Sequence, residues 1–355
     1  MTTAILVGAG ASLAEALPGR PSRDRRPPLD ATFFELCRLA KLEGRASVKS
    51  YMGDAFGMDP FSGEYRMEEV FNFIYSEAFS DDASQECLSA YWSLIRMYAA
   101  AIARTTNDLQ GTSRFGVGAL LRALDREDPD EDYTFVTFNQ DLVIEKSIEA
   151  AKSTTRYTSI PWNLRTAYGI DFEDFLGVRS RPRFMMKRRT IPSIQVLKLH
   201  GSLNWFYNVR SGSDPRNSIR RPAGNLHCLT NQRVLSGLQY QGKSRSIDII
   251  PLLIPPIYEK ASRYQTAVGP VWSAARSLFQ GADRIIVFGY SFPDADIAAR
   301  SLLRAAFHQN RTLSEVTVID ASPDVAAGIA QLLDVETLHY HRTVPAFVKG
   351  RRAFR

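Results

Sequence analysis

Continuous apolar, β-branched runs recur along the chain: Ala4 to Val7, Tyr133 to Phe138, Ile194 to Leu199, Ile247 to Ile254, Arg284 to Phe288, Val316 to Ile319 and Glu336 to Tyr340. Runs that do not alternate with polar residues predict strands buried on both faces, as in a sheet covered by helices. Helical patterns lie between several of them, at Asp141 to Lys152, Ser262 to Phe279, Ala295 to His308 and Pro323 to Leu333. Strands alternating with helices at this spacing predict an α/β fold with a doubly wound parallel sheet.

The first two strands are separated by far more chain than one crossover needs. Leu88, Tyr91, Trp92, Ile95, Tyr98, Ala99 and Ile102 recur at helical spacing, and Met67 to Ala78 and Phe115 to Leu124 look helical too. This predicts a large helical insertion over roughly residues 31–130, capping the sheet. Pro18, Pro21, Pro27 and Pro28 predict that no helix forms before about Leu29. Residues 153–193 and 207–246 are rich in Arg, Ser, Gly, Asn and Pro and read as loop-rich excursions. Residues 1–355 are read as one domain carrying these additions.

Composition narrows the class. At 355 residues, 45% hydrophobic and 23% charged, the chain is an ordinary globular protein. Cys37, Cys87 and Cys228 are too far apart for a C-x-x-C pair, so neither a zinc ribbon nor a disulfide framework is expected. Free cysteines suit a reducing cytoplasm. The apolar start has no Lys or Arg before Arg20 and is broken by Gly8 and Gly10, so it reads as a strand and turn, not a leader. No stretch approaches the ~18 apolar residues of a membrane span. A soluble, cytoplasmic protein is expected.

The net charge of +6 is unevenly spread. Arg179, Arg181, Arg183, Lys187, Arg188 and Arg189 form one basic cluster; Lys349, Arg351, Arg352 and Arg355 form another. Such clusters suit polyphosphate or nucleic acid. A solvated loop and a frayed tail are the favoured reading.

Candidate chemistry sits at the ends of the expected strands. Gly8-Ala9-Gly10-Ala11-Ser12 follows the first, a turn whose missing side chains let backbone N–H groups approach a pyrophosphate. Position 13 is Leu, so this is not the dehydrogenase G-x-G-x-x-G, and taken alone the motif reads better as a plain structural turn. Thr137-Phe138-Asn139-Gln140-Asp141 ends another strand. Asn139 or Asp141 can cap the following helix; one suffices, which leaves the other available. Lys198-Leu199-His200-Gly201-Ser202 places an imidazole before a glycine turn, though a His on an apolar element is more often a satisfied core group. Gly289-Tyr290-Ser291 is a further glycine turn, and Asp320 ends a strand where a carboxylate can meet a ribose hydroxyl or merely cap a helix. Strand ends of a parallel sheet share one crevice, so these segments can converge on one ligand.

In this order the segments resemble the sirtuin family, and more closely its bacterial sirtuin-like, NAD-hydrolysing branch. The resemblance covers residues 4–12, 133–146, 194–206 and 284–322, the sheet ends and not the insertions. It implies a Rossmann-like, sirtuin-type sheet and NAD as the substrate. It implies that Gly8, Ala9, Gly10 and Ser12 hold NAD phosphate, that Asn139 and Asp141 hold the nicotinamide ribose and carboxamide, and that His200 supplies the catalytic imidazole. Gly289, Ser291 and Asp320 would contact the adenosine half.

Two departures matter. The family's deacylases carry a four-cysteine zinc ribbon where this chain has only Cys228, so no metal is expected. They also follow the first turn with Pro-x-Phe-Arg, whereas here stand Arg20-Pro21-Ser22 and Arg25-Arg26-Pro27-Pro28, leaving the phosphate-side arginine unassigned. The form Lys198 to Trp205 looks like that of antiphage proteins that destroy NAD in abortive infection. Several of these work with a HerA-type hexameric ATPase or a prokaryotic Argonaute, so nucleic acid would enter only indirectly. The leading expectation is an NAD glycohydrolase, assembled as a homo-oligomer or with such a partner. A deacylase or ADP-ribosyltransferase, and a non-catalytic NAD or ADP-ribose sensor, are the alternatives.

Overall fold

The computed structural model describes residues 1–127, 131–152, 167–169, 174–176, 194–209, 226–229, 239–241, 246–255, 257, 261–292, 296–335 and 338–353. Six strands form a parallel sheet: β1 (Thr2–Val7), β2 (Asp132–Thr137), β4 (Gln195–Lys198), β9 (Arg284–Phe288), β10 (Glu315–Ile319) and β11 (His339–His341). Their spatial order is β11-β10-β9-β1-β2-β4. Ala4, Ile5 and Leu6 of the interior strand β1 are wholly buried, as a sheet covered on both faces requires. The registers are in phase. Val7 is paired with Thr137 and with Phe288, Thr137 with Lys198, and Phe288 with Ile319, so five strands end along one edge.

Helices cover this sheet. After β1 comes α1 (Ala9–Ala16), and the helical insertion follows as α2 (Phe33–Leu39), α3 (Arg45–Phe56), α4 (Met67–Ala78), α5 (Gln85–Thr106) and α6 (Val117–Glu127). The expectation of no helix before Leu29 is corrected by α1. The prolines start only at position 18, which leaves room for two turns, and Pro18 opens a short 3-10 turn at Leu17–Gly19. Ser84 caps α5 by accepting from the Cys87 amide at 3.1 Å. Tyr98 of α5 meets Phe33 and Phe71 edge-on, with ring centroids 5.8 and 5.5 Å away. These contacts tie α2, α4 and α5 to one another within the insertion. The remaining helices are α7 (Val143–Lys152), α8 (Ala261–Gly281), α9 (Ile297–Gln309), α10 (Pro323–Leu333) and α11 (Val344–Ala353). No helix among the described residues is long and apolar enough to cross a membrane.

A second sheet was not expected. It holds β3 (Asp174–Leu176), β6 (Leu226–Leu229), β5 (Gly201–Val209), β8 (Ser246–Leu253) and β7 (Gln239–Gln241), in that spatial order. The run at Ile247 to Ile254 therefore belongs not to the parallel sheet but to this one, pairing antiparallel with β5. An apolar run announces burial and leaves the choice of sheet to its partners. The excursion 207–246 is likewise not only loop, because β6 and β7 lie in it. Most of the excursion 153–193, including the basic cluster 179–189, lies outside the described residues, as do residues 336 and 337 of the last expected strand.

Part of the C-terminal cluster is structural, which corrects the frayed-tail reading. Arg351 donates to Glu127 at 2.7 Å and to Glu315 at 2.5 Å, tying α11 to α6 and β10. Burial would raise the Glu315 carboxyl, but Thr317 and the Arg351 and Arg284 guanidiniums outweigh it and hold it below its ordinary value. A carboxylate depressed on folding stabilises above its unfolded pKa and loses that contribution as pH falls through the folded value. Glu315→Gln should therefore melt below the wild type at neutral pH, and the two melting temperatures should converge in acid. A constant gap across that titration counts against the ion pairs.

Candidate functional site

The aligned strand ends open onto a cavity of about 960 Å³, at the upper end of small-molecule sites. Ala9, Gly10 and Ser12 line it from α1; Asn139 and Asp141 from the turn after β2; His200 from the end of β4. Gly289 and Ser291 line it after β9, and Asp320 after β10. Gly8 stands directly behind, its amide donating to the Phe288 carbonyl at 3.0 Å. The expected residues therefore share one crevice, because in-phase parallel strands put their C-terminal ends side by side.

The two glycine turns interlock. Gly10 donates its amide to the Gly289 carbonyl at 2.9 Å, and a Cβ at Gly10 would lie 2.9 Å from the Gly289 Cα. Gly289 has φ +63°, and a side chain there would run into the Ala11 amide nitrogen. Both turns lack side chains for this mutual approach, whatever else they bind. The Gly8 and Gly10 amides are spent on backbone carbonyls, so the α1 N-terminus has fewer donors for a phosphate than the motif suggested. Gly289→Ala combines a left-handed conformation with a backbone clash. It should cost about 1–3 kcal/mol, read as a lower denaturation midpoint with unchanged slope; an unchanged midpoint would contradict the interlock.

A polar group sits at the centre. The Ser12 hydroxyl donates to Asp141 Oδ2 at 2.6 Å, and Asn139 Nδ2 donates to Ser12 Oγ at 3.2 Å. Asp141 Oδ1 accepts from the Val143 amide at 2.9 Å, so Asp141 carries the turn into α7 and Asn139 is the amide left for other use. Between them, Gln140 accepts from the Tyr98 hydroxyl at 3.0 Å and donates to the Ile254 carbonyl at 3.0 Å. The helical insertion thus touches the middle of the motif. Burial pushes the Tyr98 phenol far above its ordinary value, which keeps it a neutral donor.

His200 is 6% exposed. Its ring meets Phe138 edge-on at 4.9 Å and lies 6.2 Å from Trp272. Trp272 donates to the Leu199 carbonyl at 2.9 Å, the Ile254 amide donates to the His200 carbonyl at 3.0 Å, and Gly201 turns with φ +77°. Main chain pinned on both sides and an aromatic wall fix the ring at the cavity. Phe138 stacks on Tyr290 at 4.9 Å, and Tyr290 donates to Asp296 Oδ2 at 2.9 Å, so that wall bridges the β2 and β9 ends.

At the far end, Ser322 caps α10 by accepting from the Asp324 amide. Asp320 accepts from the Ser322 amide at 2.9 Å and lines the cavity. Asp320 is thus a turn residue before α10 that stands at the crevice, and the helix cap is Ser322. Sequence reasoning missed three contributors. The strap of residues 17–31 walls the cavity through Leu17, Pro27 and Leu29, held by Arg104 donating to Asp24 at 2.6 Å. Arg66 and Arg342 also line it, both exposed cations able to meet an anionic ligand. No motif marks them. The prolines were informative only as helix breakers, and the arginines come from elements far apart in sequence.

Among the described residues, no group of three or more His, Cys, Asp or Glu could hold a metal ion. All three cysteines are buried and outside any disulfide, and burial pushes the Cys37 thiol far up. Chemically, the cavity offers an imidazole, a primary amide, a hydroxyl and carboxylates against apolar walls. That is the composition of a small-molecule site, apolar walls with a few placed polar groups.

No protein-family model matches the chain, and no curated protein matches it. Solved structures do. A mutant Sir2 homologue complexed with 2′-O-acetyl ADP ribose is 14% identical, over 99% of this chain and 92% of that one, with TM-score 0.45. A Sir2 homologue mutant with ADP ribose is 14% identical over 100% and 93%, at TM-score 0.42. A Sir2 complex with an inhibitor, 2′-O-acetyl-ADP-ribose and a deacetylated peptide is 13% identical over 99% and 93%, at TM-score 0.38. Independently of these, the chain's own strand order and registers define a parallel, Rossmann-like α/β sheet with its crevice at the strand ends.

Proposed function

We propose that this chain binds NAD across the strand ends and hydrolyses the nicotinamide–ribose bond, releasing nicotinamide and ADP-ribose. The observation that carries this reading is the convergence of Ser12, Asn139, Asp141, His200, Ser291 and Asp320 on one cavity. Breaking an N-glycosidic bond passes through an oxocarbenium-like state. The C–N bond breaks with its electron pair leaving on nicotinamide; water attacks the ribose carbon, and its proton passes to His200. Nicotinamide on a cationic ring is a good leaving group, so orientation and a placed water matter more than strong acid. In this reading Asn139 positions ribose or water, Asp141 receives the carboxamide and His200 is the general base. Gly8, Ala9, Gly10, Gly289, Ser291 and Asp320 accommodate the phosphates and adenosine, and no metal takes part.

Incubating purified protein with NAD, with and without an acyl-lysine peptide, tests the proposal. Equal amounts of nicotinamide and ADP-ribose without peptide are expected. Turnover only with peptide indicates a deacylase, ADP-ribose found on protein a transferase, and intact bound NAD a non-catalytic sensor.

The biological setting we propose is antiphage depletion of NAD, supported by the resemblance of the Lys198 to Trp205 segment to bacterial defence proteins. Control would come from assembly with further copies or with a HerA-type ATPase or prokaryotic Argonaute. The Tyr98–Gln140 hydrogen bond offers a route, because it joins the insertion to the turn between Asn139 and Asp141.

A further inference from the structure

We infer that the buried pair Lys198–Glu145 is a positioning device that locks the Asn139–Asp141 turn against the His200 strand end. Both side chains are 0% exposed, and Lys198 Nζ lies 3.1 Å from Glu145 Oε1. Lys198 also donates to the main-chain carbonyl of Asp141. Tyr168 donates to the same Glu145 oxygen at 2.9 Å, and Asn204 Nδ2 donates to the Tyr168 hydroxyl at 3.2 Å. One ammonium therefore links three elements: β4, two residues before His200; the turn bearing Asp141; and the first turn of α7. Asn204 extends the network into β5 of the second sheet.

A fully buried lysine is rare, and a buried ion pair is often no more stabilising than an apolar pair of the same size. Stability alone therefore gives this chain little reason to hold a charge there. What an apolar pair cannot supply is a directional bond to the Asp141 carbonyl. That carbonyl belongs to the residue whose carboxylate accepts from Ser12, and Ser12 accepts from Asn139. Fixing it fixes the hydroxyl, the amide and the carboxylate relative to the imidazole.

The functional consequence rests on the hydrolase reading, and the experiment separates the two. Lys198→Met alone strands a buried carboxylate and should unfold readily. The double variant Lys198→Met with Glu145→Gln is neutral and should melt close to wild type. In that double variant, amide hydrogen exchange at residues 139–143 should be at least tenfold faster, with β1 and β9 still protected. NAD turnover should fall roughly 10²-fold, the scale of a catalytic group displaced by about 1 Å, while KM changes little. A purely structural pair predicts instead that exchange and turnover recover together with the melting temperature, and that result overturns the inference. If wild type does not cleave NAD yet exchange rises as described, the hydrolase reading falls and the positioning role stands. Unchanged exchange in the folded double variant overturns the positioning role whatever the turnover.

Discussion

His200→Ala should reduce NAD hydrolysis by at least ~10²-fold, the usual share of general acid–base catalysis, in a protein that remains folded. The ring stands at the cavity wall against Phe138 and Trp272, and its backbone is held by the Ile254 amide and the Gly201 turn. Truncation therefore enlarges a cavity already present and leaves the sheet intact. Nicotinamide release measures the loss, and calorimetry with ADP-ribose should show affinity within a few-fold of wild type. A folded variant with full turnover removes His200 from the chemistry. Loss of folding would mean the imidazole is a core group after all.

Asn139→Ala should lower kcat by roughly 10²-fold, comparable to losing one preorganised donor at a reacting centre, with a much smaller change in KM. Its amide donates to Ser12 Oγ, and its own main-chain N–H is held by Thr137 Oγ1 at 3.0 Å. The Ser12–Asp141 bond and the start of α7 do not depend on it, so the variant should melt like wild type. A crystal soaked with NAD should place the amide beside the nicotinamide ribose. NAD bound away from the strand ends would end the convergence argument.

The sheet was readable where burial and chain order decide the outcome. β1, β2, β4, β9 and β10 are continuous apolar runs with helices between, and both faces of such strands must be covered. Reading failed where the same signal serves two outcomes. Ile247 to Ile254 has the apolarity of a parallel strand but pairs antiparallel with β5. Gly201 to Val209 carries Ser202 and Asn204 among large apolar residues, a mixture that hides a strand whose polar groups are buried. The strand-end residues were legible because parallel topology alone brings Asn139, Asp141, His200 and Gly289 together. The hydrogen bonds among Ser12, Asn139 and Asp141 were not, since they depend on side-chain placement. Lys198 was least legible: a lysine beside a loop ordinarily implies solvent, and only its partners from α7 and the Asp141 turn make it internal.

The interlock of the two glycine turns also has a timetable. Val7 and Phe288 are neighbours in the sheet yet lie some 280 residues apart, which a ribosome takes tens of seconds to cover at roughly 5–20 residues per second. The segment bearing Asn139, Asp141 and His200 emerges first and can pair with β1 at once, because β2 and β4 lie on the same side of it. Gly289 and Asp320 arrive only after about 90 and 120 further residues beyond His200. A nascent chain therefore carries half a crevice until the β9 and β10 ends emerge, and a ligand that spans both halves finds no complete site before then.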